Sequence, residues 1–115
     1  MSETIERYRL RTDVKDYEPF LVADGTQVGE VAWLRKSGTE GRSLLAGMWR
    51  CEPSTFPYPF GLHETFVMTK GVLRVKLEDG SEEEYVVGDI GSYVMGTNST
   101  WTVVETVEHL FVVND

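Results

Sequence analysis

Turn-forming residues interrupt this chain so often that no long helix fits between them. Eleven glycines and four prolines separate short runs rich in Val, Thr, Phe, Tyr and Trp, the residues that suit a pleated, half-buried strand. No stretch keeps apolar residues at i, i+3, i+4 and i+7 over ten residues, and the best helical chance is a weak one over residues 2–10. The runs GEVAWLRK (29–36) and SLLAGMWRC (43–51) flank the turn-forming SGTEGR. After them come LHETFVMTK (62–70), VLRVKL (72–77), EEEYVV (82–87), IGSYVM (90–95), WTVVETV (101–107) and HLFVVN (109–114). Asp79-Gly80 is a two-residue hairpin signal, and Gly88-Asp89 and Gly96-Thr97-Asn98-Ser99 supply further turns. Residues 52–61 hold three of the four prolines and are expected to form a loop, because Pro57 and Pro59 have no N–H to give a central ladder. Eight or nine short strands point to an all-β fold, an antiparallel sandwich or barrel.

Alternation assigns the faces. Glu64, Phe66 and Met68 share one side of their strand, with Thr65, Val67 and Thr69 on the other. Leu73, Val75 and Leu77 oppose Val72, Arg74 and Lys76, and Trp101, Val103, Glu105 and Val107 share a face. A chain of 115 residues can bury one core but not two. We therefore divide it into an N-terminal segment, 1–25, expected to act as an edge strand or dimer arm, and a single β domain, 26–115.

Charge and cysteine content exclude several function classes. Eleven Lys+Arg against 19 Asp+Glu leave a net charge of −8 with histidines neutral. No basic cluster is present to neutralise phosphates, which argues against nucleic acid and anionic lipid as partners. No apolar run approaches the roughly 20 residues needed to span a bilayer, and the first 20 residues lack the apolar core of a signal peptide. Cys51 is the single cysteine, so neither an intrachain disulfide nor a multi-cysteine zinc site is available. A cytoplasmic location is expected.

The ordered set Gly47-Met48-Trp49-Arg50-Cys51, Pro53, Phe56, Glu64-Thr65-Phe66, Gly71-Val72-Leu73, Gly80, Gly88-Asp89, Gly96, Trp101-Thr102-Val103 and Glu105 resembles the cupin superfamily. Within it the set is closest to the small single-domain branch grouped with the ureidoglycine aminohydrolase cupin domain. The resemblance implies a double-stranded β-helix, a jelly-roll barrel with a ligand pocket in its mouth. It also implies a homodimer formed through sheet and N-terminal segments.

Metal-binding cupins carry two histidines and a glutamate in a first motif and a third histidine in a second. Here Glu64 stands seven positions before Gly71, as that pattern asks, but the earlier histidine positions fall within Pro57-Tyr58-Pro59-Phe60. Gly88 to Gly96 keeps the second motif's spacing, yet Val94 replaces the usual proline and Ser99 stands where the third histidine belongs. Of the four usual ligands only Glu64 remains. We expect no bound transition metal and no cofactor, and the metal-dependent ureidoglycine reaction does not transfer.

Glu64 needs the most explanation, because a carboxylate directed into a barrel is costly unless paired, hydrogen-bonded or metal-bound. It is read as a catalytic acid/base or substrate anchor, as a ligand in a reduced metal site, or as a structural acid held by backbone N–H groups, Tyr58 or Ser99. His63 is adjacent to it and so points to the opposite face. His109, where relatives often have lysine, is a second polar group near the pocket or a satisfied core histidine. Trp101 is a pocket wall stacking on a planar or sugar-like ligand, or a core aromatic. Trp49, Cys51 and Tyr93 are further wall candidates, and Cys51 has no visible base to make it a nucleophile. Glu78, Asp79 and Glu82–Glu84 flank a hairpin turn and read as a solvated tip.

Three functions compete: a non-catalytic small-molecule-binding cupin, a metal-independent isomerase or hydrolase with Glu64 as acid/base, and a dimeric structural or regulatory protein. The missing histidines favour the first, with Glu64, Tyr58, Trp49, Ser99, Trp101 and His109 around its pocket.

Overall fold

The computed structural model describes residues 9–22, 24–37 and 43–115. The helical chance over residues 2–10 and the turn at SGTEGR lie largely outside these residues. Eight strands form among them, and no helix. They are β1 (Glu18–Leu21), β2 (Gln27–Ser37), β3 (Leu44–Cys51), β4 (Ser54–Pro59), β5 (His63–Leu77), β6 (Glu82–Tyr85), β7 (Ile90–Tyr93) and β8 (Asn98–Asn114).

The two long strands organise the rest. β5 runs antiparallel along one flank of β8, from His63 opposite Asn114 to Leu77 opposite Ser99. The other flank of β8 takes β3 along residues 107–114 and β4 along 98–103. Beyond β3 lie β2 and then β1, while β6 and β7 cover opposite halves of β5. The pairing thus makes two halves, β1-β2-β3-β8-β5-β7 and β4-β8-β5-β6, which share β5 and β8. They fold onto one core: the Trp101 ring from the second half lies 5.4 Å from Trp49 and 5.7 Å from Phe66 in the first. This is the all-antiparallel jelly-roll barrel.

Gly71 is the hinge of β5. Its φ is +86°, and a Cβ there would run into the Thr106 carbonyl oxygen, so only glycine suits the position. Register shifts between Met68 and Leu73 mark a bulged bend. Glu64, Phe66 and Met68 face the core before it, and Leu73 and Val75 after it. The inward set therefore moves from even to odd positions across the hinge. Opposite the bend, Glu105 reaches solvent although Trp101, Val103 and Val107 on its face are buried.

Three sequence expectations change. Residues 62–70 and 72–77 form one bent strand, and 101–107 and 109–114 form another. Most of the expected 52–61 loop is β4. Among the described residues it pairs only with β8, which leaves its far side as an edge of the described sheet. Phe60 N–H donates to Thr97 O at 2.9 Å, and the parity of that bond turns Pro57 and Pro59 toward the open side, where a missing N–H costs nothing. In the N-terminal segment, β1 pairs with β2 of its own chain.

Each fully buried core side chain contributes about 1.5–3 kcal/mol. The core mixes aliphatic residues (Leu73, Val75, Val107) with the rings of Trp49, Phe56, Phe66, Trp101 and Phe111.

Candidate ligand-binding site at the barrel mouth

Alternation along β5 turns Glu64 inward, in line with Phe66 and Met68, and leaves it only 4% exposed. Tyr58 reaches it from β4: the phenol O–H donates to Glu64 Oε1 at 2.8 Å. The Tyr58 ring is held by the tilted Trp101 ring at 4.3 Å and the edge-on Phe60 ring at 5.0 Å. Its backbone is held by Ser99, whose Oγ donates to the Tyr58 carbonyl at 2.7 Å. Burial pushes the Glu64 carboxyl up to about 7, partly opposed by the Tyr58 hydrogen bond. Burial, with the Glu64 charge and hydrogen bond, pushes the Tyr58 phenol well above its ordinary range. One proton can therefore be held or released at Glu64 near neutral pH, while Tyr58 remains a donor.

Behind Glu64 lies a cavity of about 10 Å³ bordered by Trp49, Tyr58, Trp101 and His109, room for about one water molecule. Trp49 Nε1 is satisfied by the Val28 carbonyl at 2.8 Å. Trp101 Nε1 and His109 Nδ1 have no hydrogen-bond partner among the described residues. His109 is 1% exposed, enclosed by the rings of Trp49 at 4.9 Å and Phe66 at 4.7 Å. Burial alone drives its pKa down to about 3, so the imidazole is neutral.

In front of Glu64 a cleft of about 390 Å³ opens between Tyr58, Pro59 and Leu62 on one side and Phe20, Trp33 and Phe111 on another. That volume lies in the range of small-molecule sites. Glu64 and Tyr58, with Phe20 and Phe111, border both the cleft and the inner cavity, so these four residues form the boundary between them.

The residues singled out in the sequence therefore divide. Glu64, Tyr58, Trp49, Trp101 and His109 come together, but of these only Glu64 and Tyr58 border the cleft. Trp101, read as either a stacking wall or a core aromatic, packs as core: rings from Trp49, Phe56, Tyr58, Phe60 and Phe66 surround it. Ser99 borders neither space, because its hydroxyl is committed to the Tyr58 carbonyl. It supports the site by fixing Tyr58. Tyr93 also borders neither; it stacks on Phe60 and shares a 2.7 Å hydrogen bond with Tyr85. His63 faces outward, its Nδ1 accepting the Met95 N–H at 2.9 Å.

Cys51 faces a separate polar groove of about 740 Å³ lined by Gln27, Glu30, Arg50, Glu52 and Ser54. Burial raises its thiol pKa, the opposite of what a nucleophile needs. Phe20, Trp33, Leu62 and Phe111 were not anticipated. Only Phe111 carried a signal, being in phase with His109 on β8.

The cupin fold raises the question of a metal, and the side chains present do not fit one. Tyr58 stands within the segment of the first histidines and donates its proton to Glu64 instead of leaving the carboxylate for a cation. Ser99, in the third histidine's place, donates to a carbonyl. Among the described residues no three His, Cys, Asp or Glu side chains are grouped to hold a metal ion. Nor, among them, is any helix long and apolar enough to cross a membrane.

Comparison with known proteins agrees with this architecture. A DUF861 family protein from Thermotoga maritima is 28% identical, over 56% of this chain and 73% of its own, with a TM-score of 0.54. A protein of unknown function (DUF1255) from Acidithiobacillus ferrooxidans superposes over 91% of this chain and 92% of its own, at 13% identity and a TM-score of 0.66. A putative ethanolamine utilization protein Q from Salmonella typhimurium covers 94% of this chain and 97% of its own, at 15% identity and a TM-score of 0.57. No curated protein matches in sequence. The family described as the EutQ-like cupin domain matches residues 38–111, which include β3 to β7, most of β8 and the Glu64–Tyr58 pair. The chain belongs to the EutQ-like cupin family.

Proposed function

We propose that this protein is a small-molecule-binding cupin whose ligand occupies the mouth cleft and is anchored by Glu64 and Tyr58. One observation carries the reading: a buried carboxyl, hydrogen-bonded to a single phenol, forms the floor of an otherwise apolar cleft of about 390 Å³. Desolvating a carboxyl for structure alone is unfavourable, whereas a polar anchor on an apolar floor is how small-molecule sites fix orientation. Leu62→Trp, placed in the cleft wall, tests the location. Compounds from a fragment set should raise the Tm of the wild type by mass action and leave that of Leu62→Trp unchanged. Equal shifts in both proteins place the ligand elsewhere.

A second reading, metal-independent catalysis of isomerase or hydrolase type, is favoured by one feature. A carboxyl whose pKa is about 7 is matched to proton transfer at neutral pH. Glu64→Gln discriminates, because turnover of a bound compound would vanish while binding persisted. The likeness to the ureidoglycine aminohydrolase cupin domain contributes no activity to either reading, since that reaction depends on a metal in its relatives. The homodimer, a cytoplasmic location and an N-terminal segment acting as a dimer arm belong to this proposal. Sedimentation equilibrium of the full chain tests the dimer.

A further inference from the structure

Among the described residues the cleft has one carboxylic acid and apolar walls that are part aromatic and part aliphatic. Phe20, Trp33, Tyr58 and Phe111 present rings, Leu62 adds an aliphatic side, and Glu64 lies at the floor. Among the described residues no Lys, Arg or His borders it. The walls are fixed relative to one another: Trp33 meets Phe111 edge-on, with centroids 5.7 Å apart and planes at 77°. An anionic ligand would meet Glu64 with no cation to offset the repulsion. A sugar would find two polar side chains among the lining for many hydroxyls, leaving the rest unpaired. Aromatic faces around a carboxylate suit a cation with an apolar body, since ring quadrupoles and the carboxylate both attract positive charge.

The chain supplies its own example on Trp33. Lys36 Nζ lies 5.2 Å over the Trp33 ring, so a wall residue of this cleft already engages an ammonium group through its face. The net charge of −8 also favours the approach of a cation.

We infer that the cleft binds a small primary ammonium ion with an apolar body, its N–H groups on the Glu64 carboxylate and its body against Trp33 and Phe111. This rests on the mouth cleft being the binding site. The groups facing Glu64 are Tyr58, which donates to it, and the neutral His109 across the inner cavity. Lys36 lies over the Trp33 ring and does not line the cleft.

The probes are benzylamine, benzyl alcohol and benzoate, which share one ring and differ in charge. They are titrated into the full chain and followed through the Trp33 indole N–H and Leu62 amide NMR signals. At about pH 8, benzylamine is expected to bind at least about tenfold tighter than benzyl alcohol, and benzoate more weakly than either. Lowering the pH to about 5.5 protonates Glu64 while the amine stays charged. The preference for amine over alcohol should then shrink toward parity, by up to about tenfold for each pH unit below 7 until the two probes are level. Glu64→Gln should level amine and alcohol while both still shift the Trp33 signal.

Equal affinity for amine and alcohol at pH 8, or tighter benzoate, overturns the ammonium inference. If the probes then still shift Trp33 and Leu62, the cleft survives as the site and only the ligand class fails. If no probe shifts those two signals, the site reading fails and the inference with it. Should Glu64→Gln not fold, the pH comparison on the wild-type chain decides alone.

Discussion

The two spaces on either side of Glu64 differ in character though they share a wall. The inner cavity is lined largely by rings, and the histidine at its back, His109, is held neutral with a pKa of about 3. The outer cleft is open, and its carboxylic acid, Glu64, is raised to about 7. Burial causes both shifts, in opposite directions, because it disfavours whichever form is charged. What separates the regions is partnership and access. Glu64 has the Tyr58 hydrogen bond and a path to solvent, so it can ionise when a ligand or a base compensates. His109 Nδ1 has no hydrogen-bond partner among the described residues, and His109 does not line the cleft. One region can respond to solution, and the other maintains the shape that lets it respond.

Removing the wall should have the largest effect. Trp101→Ala deletes the ring packed between the Trp49 side of the barrel and Tyr58, and the inner region becomes a void. Loss of about 3–5 kcal/mol in urea unfolding is expected. A loss under about 1 kcal/mol would mean that the interior collapses around the deletion, and that the inner region is not rigid.

The opposed pKa shifts give a sharper test. Glu64 is raised from 4.5 to about 7, so the native state holds that proton longer than the unfolded chain. Its contribution is fully present below 4.5 and is lost as pH rises through about 7. His109 is lowered from 6.5 to about 3. Its contribution is fully present above 6.5 and is lost as pH falls toward 3. Between 4.5 and 6.5 the two slopes oppose each other, so each single variant exposes the other group. His109→Leu should become less stable from pH 4.5 to 7, by on the order of 3 kcal/mol. Glu64→Gln should be level above 6.5 and lose stability only below it. Urea midpoints across pH check both, and the same profile in the two variants would contradict the contrast between the regions.

The sequence carries these two regions unequally. Strict alternation in 64–68 and 101–107 exposes the inward face, so Glu64, Phe66 and Trp101 are legible as interior residues, and motif spacing marks Glu64 as unusual. The cleft walls are not legible, because Phe20, Trp33 and Leu62 come from chain segments far apart and meet only through strand pairing. β4 is hidden for a different reason. Prolines normally mark loops, and only an edge position with every second N–H unused lets Pro57 and Pro59 sit in a strand. The change of inward parity at Gly71 is likewise invisible until the bulge is seen.

A smaller effect is expected at the boundary itself. Tyr58→Phe keeps the ring between Trp101 and Phe60 and removes the only side-chain donor seen on Glu64. Since that hydrogen bond holds the Glu64 pKa down, the variant should titrate at still higher pH. It should lose about 1–3 kcal/mol where the wild-type carboxylate is ionised, near pH 8, and less near pH 5, where the acid is neutral. A pH-independent loss would instead assign Tyr58 to packing alone.

The smallest effect belongs to acids far from both spaces. At the β5–β6 hairpin, Glu84 accepts from Arg74 Nε at 2.9 Å, with both side chains about half exposed. Water already solvates these charges, so pairing them adds little, and the ordering of two long side chains offsets part of it. Glu84→Gln should change stability by less than about 0.5 kcal/mol, and added salt should shrink even that. Removing one negative charge from a chain at −8 also relieves some repulsion, so the sign can fall either way within that limit. The same substitution, Glu to Gln, is thus nearly silent at the tip and reshapes the pH profile at Glu64. A tip variant with an effect as large as that of Glu64→Gln would show that net charge, rather than burial at the barrel mouth, controls how this fold responds to pH.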